Sequence, residues 1–153
     1  MSVLTPYPAE RVEPILVEEM SAEGLIRYEP DPTDWHSPDG LPYGYHLQSP
    51  DAETDPEELR LVERASGRPM RCDIGLHIFV SNLAGRPALA RVAQRVARRT
   101  EGWVFVEFHG PPAAELLHRL AAAGRCIPFG DAVYLDEAAM AAWIAHPDFH
   151  VIK

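Results

Sequence analysis

The sequence predicts an α+β fold: a single domain over residues 1–153, with a mixed β-sheet that contains a parallel βαβ unit (71–108) and helices packed mainly on one face. Three observations predict it. Residues 71–81 alternate, with Cys72, Ile74, Leu76, Ile78 and Val80 on one side and Asp73, Gly75, His77 and Phe79 on the other. Residues 86–100 carry a helical stripe of Leu89, Val92, Ala93 and Val96. Residues 103–108 alternate again, with Val104, Val106 and Phe108 on one side. A strand, a helix and a strand in succession predict a right-handed crossover with the two strands parallel and adjacent. A length of 153 residues, 46% apolar and 24% charged, suits one domain with a proper core.

The other elements follow in chain order. Val12, Ile15, Leu16, Glu19 and Met20 fall at helical spacing, predicting a helix over 9–23 that Gly24 stops, with Pro14 in its first turn or else a later start. Leu25 to Glu29 is expected as a short strand. Residues 30–56 are rich in Pro and Gly and are expected to be loops, with Tyr43 to Gln48 as a strand inside them. Asp55-Pro56-Glu57-Glu58 predicts a helix start, with Asp55 as N-cap, Pro56 as first helical residue and Glu58 reaching back. That helix is expected to end at Gly67. Pro111-Pro112 opens a helix to Ala123. Ala132 to Leu135 is a strand, Asp136 caps a last helix to about Ala145, and Phe149 to Ile152 is a closing strand.

The net charge is −9 and it is unevenly spread. Residues 1–68 hold fifteen Asp and Glu against five Arg, a balance of −10, and residues 69–153 hold eight against nine Lys and Arg, a balance of +1. The chain therefore divides into an acidic, loop-rich part (1–68) and a regular α/β part (69–153). This is the wrong sign for neutralising phosphates, so no nucleic-acid partner is expected. An acidic surface favours a basic protein partner. No apolar run reaches the ~20 residues that cross a membrane, and Met1 to Val12 lacks the pattern of a secretory signal. Cys72 and Cys126 lack metal or redox spacing and are expected to be reduced. These readings predict a cytoplasmic protein with no membrane partner.

For chemistry, the best constellation is Asp73 and His77 on one strand with Glu107 and His109 on the next. Carboxylates and imidazoles together suit a transition metal or acid–base work. The spacing matches no metal motif, and the plainer expectation is a less buried sheet face. The sequence holds no H-E-x-x-H, no Walker loop and no G-x-S-x-G. Arg91, Arg95 and Arg98 form one basic stripe, expected to be solvated or paired with the acidic half.

The stretch from Ile78 to Phe108, IFVSNLAGRPALARVAQRVARRTEGWVFVEF, and the ending AVYLDEAAMAAWIAHPDFHVIK resemble the immunity proteins of bacterial polymorphic and secreted toxins. The resemblance covers about half the chain. It implies an inhibitor that binds its cognate toxin and performs no chemistry, without cofactor, and it assigns no residue a role. For such an inhibitor the loops supply the expected surface: Trp35, Tyr43 and Tyr45 as aromatic anchors beside Asp51, Glu53 and Glu57. The alternative is a small enzyme or metal-binding protein using Asp73, His77, Glu107 and His109.

Overall fold

The computed structural model describes residues 1–52, 54–78 and 83–151. The chain opens with strand β1 (Ser2–Thr5) and helix α1 (Ala9–Ala22). A meander of β2 (Ile26–Arg27), β3 (Asp34–His36) and β4 (Pro42–Gln48) follows, then α2 (Pro56–Ser66). Next come β5 (Cys72–Ile78), α3 (Arg86–Thr100) and β6 (Trp103–Glu107). Helix α4 (Ala114–Ala123), the hairpin β7 (Cys126–Phe129) and β8 (Ala132–Leu135), and α5 (Glu137–Ile144) complete it. The eight strands form one open sheet in the order β2-β3-β4-β5-β1-β6-β8-β7.

The expected parallel pairing within 71–108 is overturned. Every ladder is antiparallel, and β1 lies between β5 and β6, antiparallel to both. Val3 and Leu4 are each fully buried, on opposite faces of the sheet. The turn after α3 fits against this strand: Glu101 takes the left-handed conformation at φ 52°. A β-carbon at Gly102 would lie 3.0 Å from the Leu4 carbonyl oxygen. Thr5 Oγ1 donates to the Thr100 carbonyl at 2.8 Å, tying β1 to the end of α3.

Several local expectations also needed correction. Pro14 lies beyond the first turn, inside α1, where it removes one i→i−4 hydrogen bond. The strand expected over 71–81 ends at Ile78 among the described residues, and residues 79–82 lie outside them. Residues 149–151 form no strand, and Ile152 lies outside the described residues. Asp55 does cap α2, accepting from the Glu57 and Glu58 amides, and Gly67 closes it at φ 72°.

The two faces of the sheet are covered unequally. Helices α1, α3, α4 and α5 pack on the face that presents Val3, Ile74, Leu76, Val104 and Leu135. On the other face α2, through Val62 and Leu59, and Met70 after it pack over Leu4, Trp103 and Tyr134. The arginines of α3 turn to α1. Arg95 bonds Glu19 at 2.7 Å and Glu23 at 2.8 Å, Arg91 bonds Glu23 at 2.6 Å, and Arg99 reaches Glu18 and Glu19. Burial works to raise the Glu19 carboxyl, but Arg95 and Arg99 together hold it below the usual carboxylate range.

Burial makes a stability test of the sheet order. Leu4→Ala removes a fully buried side chain from the centre of the sheet and is expected to cost about 3 kcal/mol. Ile26→Ala, at a 48% exposed edge position, is expected to stay within about 0.5 kcal/mol. Urea denaturation of the two variants measures both; equal losses would contradict the central placement of β1.

Candidate functional site

The face opposite the four helices is open over strands β4, β5, β1 and β6, and a groove of about 290 Å³ lies there. The pairing register brings its residues together. His46 of β4 lies opposite Gly75 of β5, which lies opposite Ser2 of β1, which lies opposite Phe105 of β6. Asp73 and Glu107 lie towards its two ends. Asp73 pairs with Leu4 and Gln48, and Glu107 with Ala132. The groove continues past Ser2, Asp73 and Phe105 to Thr54, Glu58 and Tyr134, so the start of α2 flanks it.

Its middle is built from a repeated triplet. Gly44-Tyr45-His46 on β4 and Gly75-Leu76-His77 on β5 run antiparallel, so that His46 faces Gly75 and His77 faces Gly44. A methyl group at Gly75 would fall inside the His46 ring. Only glycine lets that imidazole lie down over the neighbouring strand. The two rings then stack, with centroids 5.9 Å apart and planes inclined by 29°. Burial pushes the His77 imidazole below its ordinary pKa, and the neighbouring His46 adds to the shift. His77 is therefore neutral at physiological pH.

Three of the four residues of the predicted constellation thus line one groove: Asp73, His77 and Glu107. His109 does not join them; it stacks on His150 at 5.3 Å. Nor do the three converge on a point. Four residues of strand at about 3.3 Å each separate Asp73 from His77 by roughly 13 Å. Among the described residues no three of His, Cys, Asp and Glu come close enough to hold a metal ion. Sequence reading missed His46, Gly75 and Ser2. The signal for the first two was present in the paired Gly-x-His triplets, which become informative only once β4 is set beside β5.

The expected aromatic anchors lie elsewhere. Trp35, Tyr43 and Tyr45 are 3%, 2% and 3% exposed. They face the helical side of the sheet and belong to its core. The Tyr45 hydroxyl donates to Glu13 of α1 at 3.0 Å, and burial pushes its pKa up to about 12. That correction has a simple cause: β3 and β4 pair at Trp35 and Tyr43, so both side chains share the covered face. The exposed large apolar side chains on the meander are Ile26 and Tyr28, 48% and 49% exposed. Of the expected acidic contacts, Asp51 and Glu57 are exposed, and Glu53 lies outside the described residues. Cys72 and Cys126 carry free thiols, and burial pushes each up to about 11. Both are therefore protonated at neutral pH. Among the described residues no helix is long and apolar enough to cross a membrane.

The Gly75 and His46 contact makes a double-mutant cycle. Gly75→Ala alone is expected to destabilise the protein by about 1 kcal/mol, because the new methyl displaces the His46 ring. In a His46→Ala background the same change is expected to be neutral or stabilising, since alanine orders a strand better than glycine. Thermal denaturation of the four proteins reads the coupling; additive effects would mean that the ring does not rest on Gly75. No protein-family model, curated protein or solved structure matches this chain.

Proposed function

We propose that this chain is an immunity protein, a cytoplasmic binder that neutralises a cognate toxin with a basic surface by covering its active or substrate site. One observation carries the reading: carboxylates line the open sheet face around the groove, with the Met1 amino group close to both Asp73 and Glu107. At the open-face positions of β1 to β6 the described residues include Asp34, Asp73 and Glu107 and no Arg or Lys. Arg91, Arg95 and Arg99 of α3 pair with α1 on the other side of the sheet. The acidic segment around Asp51, Asp55 and Glu57 sits beside the same groove through Thr54 and Glu58. Such a face steers a basic partner and raises its association rate. Tyr28 and Ile26, at the sheet edge, supply exposed apolar surface next to it. Aromatic side chains in that setting are typical anchors.

A second reading is favoured by the His46 and His77 pair, which lies between carboxylates in a groove. That combination also suits proton transfer on a small substrate. The binding reading ranks first because the acidic face continues from the groove onto the start of α2.

Binding kinetics against the product of the neighbouring toxin gene test the proposal. Reversing charge at Asp51 and Glu57 is expected to slow association several-fold at low salt, with the difference shrinking at high salt. Tyr28→Ala is expected to speed dissociation about tenfold or more, corresponding to the loss typical of an aromatic hot spot. Unchanged association by the charge-reversed protein would reduce the acidic face to a device for solubility. Failure of the wild-type protein to bind the toxin, or to protect cells from it, would overturn the immunity reading.

A further inference from the structure

Resting on the binding reading, we propose that the end of the groove beyond Met1 is an aliphatic subsite, filled in the free protein by this chain's own Val151 and in the complex by an aliphatic side chain of the toxin.

The topology builds the subsite. Strand β1 separates β5 from β6 only as far as Ser2, which pairs with Gly75 and Phe105. One residue before it, Met1 still holds Leu76: its carbonyl accepts from the Leu76 amide at 2.8 Å and its amino group donates to the Leu76 carbonyl at 3.1 Å. Strand β5 runs on to Ile78 and β6 to Glu107. Among the described residues no strand lies between those two ends. Leu76 and Val106 belong to the core on the helical side, yet both line the groove, because the gap in the sheet lets them reach it. Val151 lies there with them and is 6% exposed. An aliphatic floor already filled by a valine defines its guest: one small aliphatic side chain, selected by apolar fit and independent of the charges at the rim.

The attachment of Val151 makes it replaceable. The segment after α5 reaches it without helix or strand. Phe149 is the fixed root, since its amide donates to the His146 carbonyl at 3.0 Å and its ring packs edge-on against Trp143. Only His150 and Val151 dock beyond it. The Arg86 guanidinium donates to the Val151 carbonyl, and His150 stacks on the exposed His109. Docking also has a cost: the His150 Nε2 is buried with no hydrogen-bond partner among the described residues, and release returns it to water. The two anchors are general to peptides. An aliphatic side chain in the gap and a backbone carbonyl on Arg86 can both come from an extended segment of the toxin. Carboxylates on the open face then govern approach, and the aliphatic contact governs residence.

The test uses the whole chain with isotope-labelled valine methyl groups. In the free protein, relaxation-dispersion measurements are expected to show the Val151 methyls exchanging with a released state held by about one molecule in a hundred. Arg86→Gln, which removes the bond to the Val151 carbonyl, is expected to raise that population about fivefold. A Val151 signal free of exchange in both proteins would overturn the replaceable plug. In the toxin complex the Val151 methyls are expected at the shifts of an exposed valine, with Phe149 unmoved. Val151→Ala, its fold checked by circular dichroism, is expected to tighten toxin binding about threefold or more, because a weaker occupant leaves the subsite open more often. Val151 still buried in the complex, or equal or weaker binding by Val151→Ala, would overturn the subsite. The two readings fail separately. If the toxin binds and Val151 stays buried, the subsite falls and the immunity reading stands. If Val151 exchanges as expected but the toxin neither binds nor is neutralised, the immunity reading falls. The gap then stands as an aliphatic site only if N-acetyl-valine methylamide binds Val151→Ala saturably and shifts its Val106 methyls; no such shift would overturn it.

Discussion

The position of β1 governs the rest of the structure. Four residues, Ser2 to Thr5, pair on one side with β5 and on the other with β6. Both neighbours therefore point the same way without touching, and α3 crosses over β1 to join them. A central strand must be apolar on both faces, and Val3 and Leu4 meet that requirement, each fully buried. The close approach of Gly102 to the Leu4 carbonyl and the hydrogen bond from Thr5 to Thr100 lock the crossover onto the strand. Among the described residues four helices cover one face and α2 part of the other, which leaves part of the sheet open. The groove lies in that opening, at the start of β1.

Much of the second half was legible in the sequence because its periodic segments are long. The alternation from Cys72 and the stripe of Leu89, Val92, Ala93 and Val96 correctly gave β5 and α3. The pairing of β5 with β6 was not legible, since β1 is too short to show a period and its insertion depends on contacts some seventy to a hundred residues distant in sequence. Strand β7 was missed for a related reason: Pro128 argues against a strand, yet it is tolerated because β7 is the edge of the sheet. In the loop-rich half, Pro and Gly content concealed β3, whose three residues carry Trp35 into the core.

The candidate site shows the same division. Asp73, His77 and Glu107 could be assigned to one face from alternation alone, and they share the groove. His109, two residues beyond the end of β6, lies outside the strand and stacks on His150 instead. Aromatic residues in a Pro-rich segment suggested a surface, but Trp35, Tyr43 and Tyr45 are the side chains that fasten the meander to α1 and α3. The hydroxyls of Tyr45 and Tyr43 donate to Glu13 and to the Gly85 carbonyl. A large aromatic side chain gains most by burial, and composition alone does not say which aromatics are the buried ones. The separation of charge is the more useful legacy of the sequence. Arginine is used for holding α1 to α3, and the groove on the opposite face is lined by carboxylates, imidazoles and the Met1 amino group.

The central claim is that this open face, and not the helical side, meets the partner. Hydroxyl-radical footprinting of the protein alone and with its toxin tests it directly, because both sides carry reactive side chains. The account predicts protection of Tyr28, His46 and Phe105 in the complex, with Tyr7 and Phe149 on the helical side oxidised as fast as in the free protein. Protection of Tyr7 and Phe149 with Tyr28, His46 and Phe105 unchanged would contradict it.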